Sequence, residues 1–308
     1  MKATREFLEK LGVPNRDLYD LPTSEKRFPD GAQFRIEIPS VESPEMLRRV
    51  IENVDNLDIT IHRISQGSGV ILLTDKQIEE MVEICKSEKL ELSLYVGPRA
   101  TYDIGGEVKA AMGNTLGNRI RGADQLVYAI EGIKRGIQLG VRGFLVADEG
   151  LLWILDAMKK AGEIPKDVIF KISASIGYPN PASACVLERL GAGTFNIPTD
   201  LTLPQIAAIR KAINIPIDLY VSVPTHFGGF VRLFEVAEIV RVAAPVYLKF
   251  GIPLGPAVYP GGEHIRNILL GFADEEVRLA KICLEFLNKH YPEAKSSEKG
   301  GEGIAIPV

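Results

Sequence analysis

The stretch "FRIEI" (residues 34–38) sets Phe34, Ile36 and Ile38 against Arg35 and Glu37. In an extended chain, successive side chains point to opposite faces. One face of this strand is therefore apolar and the other carries a cation and an anion. The alternation returns along the chain. In "LELSLYV" (90–96), four apolar residues alternate with Glu91, Ser93 and Tyr95. "VIFKISAS" (168–175) sets Val168, Phe170 and Ile172 against Lys171, Ser173 and Ser175. "IDLYVSV" (217–223) does the same with Asp218, Tyr220 and Ser222, and "VYLKF" (246–250) with Tyr247 and Lys249. Three further strand-like runs are "DITIHRI" (58–64), "GFLVAD" (143–148) and "TFNIP" (194–198).

Helical periodicity fills the gaps between these runs, as in "PEMLRRVIENV" and "TDKQIEEMVEICKSEK". Thr74 and Asp75 begin one helix, Pro181 lies in the first turn of another, and Gly140 and Gly191 close two more. Strands that alternate strictly with helices build either a closed barrel or an open doubly wound sheet. An open sheet covered on both faces has almost continuously apolar strands. These strands each keep a polar face, and the inside of a closed barrel is where such a face can go. The reading is an α/β protein with a single (β/α)8 TIM barrel over 34–291. An extra N-terminal helix and irregular lead-in occupy 1–33, and a flexible tail occupies 292–308.

Composition is that of an ordinary globular chain: 308 residues, 46% hydrophobic, 25% charged, net charge -4. That charge offers no nucleic-acid footprint. No run reaches the roughly 18 apolar residues that a membrane span needs. The start, "MKATREFLEKLG", is charged and amphipathic, without an apolar signal core. Cys85, Cys185 and Cys283 are dispersed and form no C-x-x-C pair. Reduced thiols used as core filler, and a cytoplasmic location, follow from that pattern.

Seen as a barrel, the interior would hold Arg35, Glu37, His62, Glu91, Tyr95, Lys171, Asn196, Asp218, Tyr220, Tyr247 and Lys249. Buried charges of this number must pair, open onto water or await a polar ligand. A purely structural network therefore stands beside a substrate site. Residues late in their strands lie near the C-terminal mouth, where barrel enzymes build active sites. Glu37, His62, Lys171 and Lys249 are the catalytic candidates. Glu37 and His62, from neighbouring strands, could act as an acid–base pair. Lys249 could form an imine or serve as a fixed charge for a carboxylate, and the second is preferred. Glu91 and Asp218, early in their strands, read as structural.

Substrate-binding candidates are Arg35, Arg99, Asp148, Asn196, Tyr220, Ser222 and His226. Arg99 comes from the long glycine-bearing segment 97–122 after the third strand, and His226 from "PTHFGGF" (224–230). That loop and "GIPLGPAVYPGGEHI" (251–265) lie where barrels often bind phosphate. A divalent metal on Glu37, His62 and Asp148 is a further reading without a spacing motif behind it.

Three stretches resemble a divergent branch of the U32 peptidase family: "FPDGAQFRIEIPSVESPE" (28–45), "NIPTDLTLPQIAAIRKAINIPIDLYVSVP" (196–224) and "GGFVRLFEVAEIVRVAAPVYLKFG" (228–251). The resemblance implies a barrel and a peptidase label with no settled catalytic type. The family's better understood members hold an iron–sulfur cluster on four cysteines. Three dispersed cysteines cannot, so no such cluster is expected here. The family's cysteine-containing signature is also missing, so no functional residue carries over. No Ser-His-Asp, Cys-His or H-E-x-x-H signature supports the peptidase label either.

The expected function is that of a barrel enzyme, a hydrolase or lyase, acting on a small polar or anionic molecule. A literal peptidase and a non-catalytic binding barrel are the alternatives. The amphipathic first helix and the apolar end "GIAIPV" suggest surfaces for a homo-oligomer.

Overall fold

The computed structural model describes residues 1–97, 99, 106–110, 113 and 117–308. Eight parallel strands close into a barrel in chain order. They are β1 (Phe34–Ile38), β2 (Arg63–Gln66), β3 (Glu91–Tyr95), β4 (Gly143–Val146), β5 (Ile169–Ile172), β6 (Thr194–Asn196), β7 (Ile217–Ser222) and β8 (Val246–Phe250). Closure is made by β1 on β8, with Arg35 beside Tyr247 and Glu37 beside Lys249. The long helices are α1 (Lys2–Lys10), α2 (Pro44–Asn56), α3 (Asp75–Ser87), α4 (Gly122–Gln138), α5 (Glu149–Ala161), α6 (Pro181–Arg189), α7 (Leu203–Ala212), α8 (Val236–Ala243) and α9 (Arg266–His290).

Local chemistry fixes where helices begin. Ser43 accepts from the Met46 amide ahead of Pro44, and Thr74 and Gln77 form a reciprocal capping box. Asn180 and Ser183 do the same before Pro181. The apolar face of each strand then packs under these helices. Ile36, Ile38, Leu92, Leu94, Phe144, Phe170 and Leu219 are all buried in this shell. The opposite face turns inward, and there the charges collect.

Two expectations change. The run 58–64 pairs only from Arg63 onward, with Glu37 opposite Arg63. Asp58 takes a left-handed backbone (φ +48), and His62 joins the barrel just ahead of the strand, its amide donating to the Ile36 carbonyl (2.9 Å) and its carbonyl accepting from the Glu91 amide (3.0 Å). The inward phase therefore falls on Arg63 and Ser65, and not on His62. The end of the chain is not a loose tail either. Residues 292–308 cross the floor of the barrel: the Gln33 amide donates to the Lys295 carbonyl (2.8 Å) and the Ser297 amide to the Phe34 carbonyl (3.2 Å). The Val308 amide donates to the Gly140 carbonyl (3.0 Å). A Cβ on Gly140, whose φ is +97, would stand 2.5 Å from the Val308 carbonyl. The stretch thus belongs to the barrel body. No described helix is long and apolar enough to cross a membrane.

Candidate active site

The interior is stratified. At the floor, Arg35 is 1% exposed and donates to Ser297 Oγ (2.8 Å), the Tyr247 hydroxyl (3.1 Å), Asp30 (3.2 Å) and the Glu302 carbonyl (2.6 Å). Its guanidinium lies 4.0 Å from the centre of the Phe28 ring. His62 sits at the same level. Its Nδ1 accepts from the Ile36 amide (2.9 Å), and its Nε2 bonds the Ser297 carbonyl (2.8 Å). Burial, outweighing the bond to Ser297, pulls its pKa down to about 4, so the ring is neutral. Arg35 and His62 were expected nearer the mouth. The register of β2 and the returning C-terminal stretch put both at the closed end instead.

The middle layer is organised by Arg63, a residue the sequence reading left out. It is fully buried and donates to Glu91 (2.7 Å), Asp218 (3.0 Å) and Glu37 (3.1 Å). Its guanidinium carbon stands 3.5 Å from the centre of the Tyr247 ring. Thr194 donates to the second oxygen of Asp218 (2.8 Å). Glu91 and Asp218 are thus held by a cation from β2.

The upper layer brings together three of the four catalytic candidates. Lys171 from β5, Ser65 from β2 and Lys249 from β8 all reach Oε1 of Glu37 on β1, with Lys249 at 3.3 Å. Lys171 also lies 3.2 Å from Ser65 Oγ and 4.0 Å from Asp218. With its amide oxygen turned toward Lys249, Asn196 accepts from Nζ at 2.8 Å and donates to the Asp218 carbonyl. Tyr220 covers Lys249, with Nζ 4.3 Å from its ring centre. Burial pushes the Glu37 carboxyl up, but Lys171, then Lys249 and Arg63, outweigh it and hold it below the carboxylate range. Burial lowers Lys171 to about 7: the attraction of Glu37 opposes this and the charge of Lys249 adds to it. Burial, with Glu37 nearby, raises the Tyr220 hydroxyl well above its usual value.

Above this layer, a cavity of about 410 Å³ opens between the loops after β7 and β8 and the start of α9. Its polar lining includes Ser40, Arg99, Thr225, His226 and Tyr259. Arg99 lies 3.9 Å from the centre of Tyr95 and 4.9 Å from that of Tyr259, and donates to the Gly67 carbonyl. Ser40, just beyond β1, has a left-handed backbone (φ +60) and bonds the Tyr259 hydroxyl (2.7 Å). His226 meets Tyr259 edge-to-face with ring centres 5.8 Å apart, and burial, then Arg99 and Lys249, lower its pKa to about 4. The rim is tied by buried Glu42. It accepts from the amides of Gly67 (2.7 Å) and Ser68 (3.0 Å), while Ser68 Oγ accepts from the Gly261 amide (2.6 Å).

The remaining candidates scatter. Asp148 caps α5 through the Leu151 amide (2.9 Å), and Ser222 donates to the Gly251 carbonyl (2.7 Å). Glu37, His62 and Asp148 occupy three different levels. Among the described residues, no group of three or more His, Cys, Asp or Glu could hold a metal. The long segment 97–122 lies in part outside the described residues. Ser40, Glu42, Arg63, Ser65 and Tyr259 were missed. Only Arg63 and Ser65 left a signal, since the pattern of Ile61 and Ile64 breaks strict alternation.

No protein-family model matches the chain, and no curated protein matches it. Solved structures with a similar chain path include the U32 peptidase Mk0906, at 17% identity, covering 76% of this chain and 99% of that chain, TM-score 0.43. The homocysteine methyltransferase MmuM from Escherichia coli, in its metallated form, shares 12% identity, covering 71% and 92%, TM-score 0.50. A protein described as native KDPGal shares 10%, covering 85% and 99%, TM-score 0.45. At 12% identity and a TM-score of 0.50, the likeness to the methyltransferase speaks to the barrel fold alone.

Proposed function

We propose that the chain is a barrel enzyme with lysine-based lyase chemistry on a small anionic carbonyl compound. One observation carries the reading: two ammonium groups, from β5 and β8, share one oxygen of Glu37 directly below the mouth. Arg63 already engages Glu91 and Asp218 beneath them, so the upper edge of the network is its positive edge. An anion entering from the mouth meets Lys249 there. Lys171, lowered to about 7, is partly neutral at neutral pH and can attack a carbonyl carbon. Its Nζ bonds to that carbon, both amine protons leave with the carbonyl oxygen as water, and the imine that remains takes one proton from solvent to become an iminium. Lys249 then serves as the fixed charge. Both lysines are covered, so substrate entry requires side-chain movement at the mouth.

The test is borohydride reduction in the presence of pyruvate, with peptide mapping. A reduced adduct on Lys171 that Lys171→Met abolishes supports the proposal; no adduct with any 2-oxo acid refutes it. A non-catalytic barrel is the second reading, favoured by the mutual pairing of Arg63, Lys171 and Lys249 with Glu37, Glu91 and Asp218. The literal peptidase reading gains no support from these contacts. We also carry as proposals a U32-like affiliation, a cytoplasmic location and a homo-oligomer. The last rests on α1, none of whose residues is buried, with Phe7 exposed; light scattering would test it.

A further inference from the structure

The cavity above the lysines has a character that the lysines alone do not explain. Most of its wall is apolar: Ile252, Pro256, Ala257, Val258, Pro260 and Phe272. Its charge is Arg99, held against the faces of Tyr95 and Tyr259. Cavity and lysines are joined by a chain of aromatic contacts: Tyr220, whose ring centre is 4.3 Å from Lys249 Nζ, lies 6.0 Å from Phe227, and Phe227 lies 4.3 Å from His226 on the cavity wall. A compact, wholly polar substrate would leave most of this wall facing water. The wall is also tightly set: a Cβ on Gly255 would stand 2.9 Å from Phe272 and 3.0 Å from Ile252.

From this we infer that the substrate is an amphipathic acid, a 2-oxo acid with an aromatic or branched apolar body. The body packs on Phe272, Ile252 and Val258, and the carboxylate faces Arg99 and Lys249. The inference deepens the lyase reading and rests on it for the carbonyl. A volume of about 410 Å³ accommodates such a body, within the usual range of ligand sites, roughly 300–1,000 Å³.

The experiment measures calorimetric binding and borohydride trapping on the full chain with phenylpyruvate, pyruvate and 3-phenylpropanol. Burial of a phenyl ring predicts that phenylpyruvate binds about a hundredfold tighter than pyruvate. The uncharged alcohol should bind at least about tenfold more weakly than phenylpyruvate. Ala257→Trp, at an exposed wall position, should abolish the preference by filling the space. Phe272→Leu should reduce it about tenfold. Equal trapping and binding of both acids overturns the inference and leaves the lyase reading intact. Selective binding of phenylpyruvate without any adduct upholds the apolar-acid site and removes the lysine chemistry. Failure of every probe to bind or trap overturns both.

Discussion

Replacing Arg63 with Met removes one charge and little volume from the middle of the barrel. Arg63 is fully buried, and it is the ion-pair partner of Glu91 among the described residues. In the variant, the orphaned carboxyl must either stay ionised without a partner or take up a proton. The second route is cheaper, and it has a defined pH dependence. Protonating a carboxyl costs about 1.4 kcal/mol per pH unit above its ordinary value near 4.3. One carboxyl therefore costs about 3.7 kcal/mol at pH 7 and about 1 kcal/mol at pH 5. Loss of the stacking on Tyr247 adds roughly 0.5–2 kcal/mol at either pH. Against a typical stability of about 5–15 kcal/mol, the variant is badly weakened at pH 7 and largely rescued at pH 5. Urea unfolding of both proteins at the two pH values reads this directly. The destabilisation should shrink by about 2.7 kcal/mol between pH 7 and pH 5. A loss of equal size at both pH values would mean that Arg63 acts by packing, and the electrostatic account of the barrel interior would fall.

Borohydride trapping should rise with pH through a midpoint near 7, because burial lowers Lys171 to about 7; Lys249→Met removes a repelling cation and should move the midpoint up. A rise continuing toward 10 in the wild type would contradict the assignment. Truncation after Ala294 strips Ser297 and the Glu302 carbonyl from Arg35, and Ser297 from His62. A stability loss of at least about 3 kcal/mol is expected from these charged hydrogen bonds. The His62 titration, followed by NMR, should move up from about 4; an unchanged titration would show that the floor does not depend on the C-terminal stretch. Gly67→Ala places a Cβ 2.4 Å from the Tyr259 ring. It should displace that ring and weaken phenylpyruvate binding about tenfold, with the urea midpoint nearly unchanged; unaltered affinity would take Tyr259 out of the site.

The barrel was legible because alternation is a property of the strand itself. "FRIEI" and "VYLKF" each carry an apolar and a charged face, and only a closed sheet gives both a place. Periodicity therefore determined the fold and the inward residues of β1, β3, β5, β7 and β8. It did not settle the phase of β2: the break in alternation between Ile61 and Ile64 marks a shift, but only pairing shows that the ladder begins at Arg63. Depth was also hidden. His62 read as a mouth residue and Arg35 as one part-way down, until the C-terminal stretch closed the floor over both. The convergence of Lys171 and Lys249 on Glu37 joins β5, β8 and β1, and the mouth wall joins loops far apart in the chain. Sequence fixes what each strand offers to its two faces, since that depends on neighbours along the backbone. Which charges meet depends on register and closure, and those exist only once the whole ring has formed.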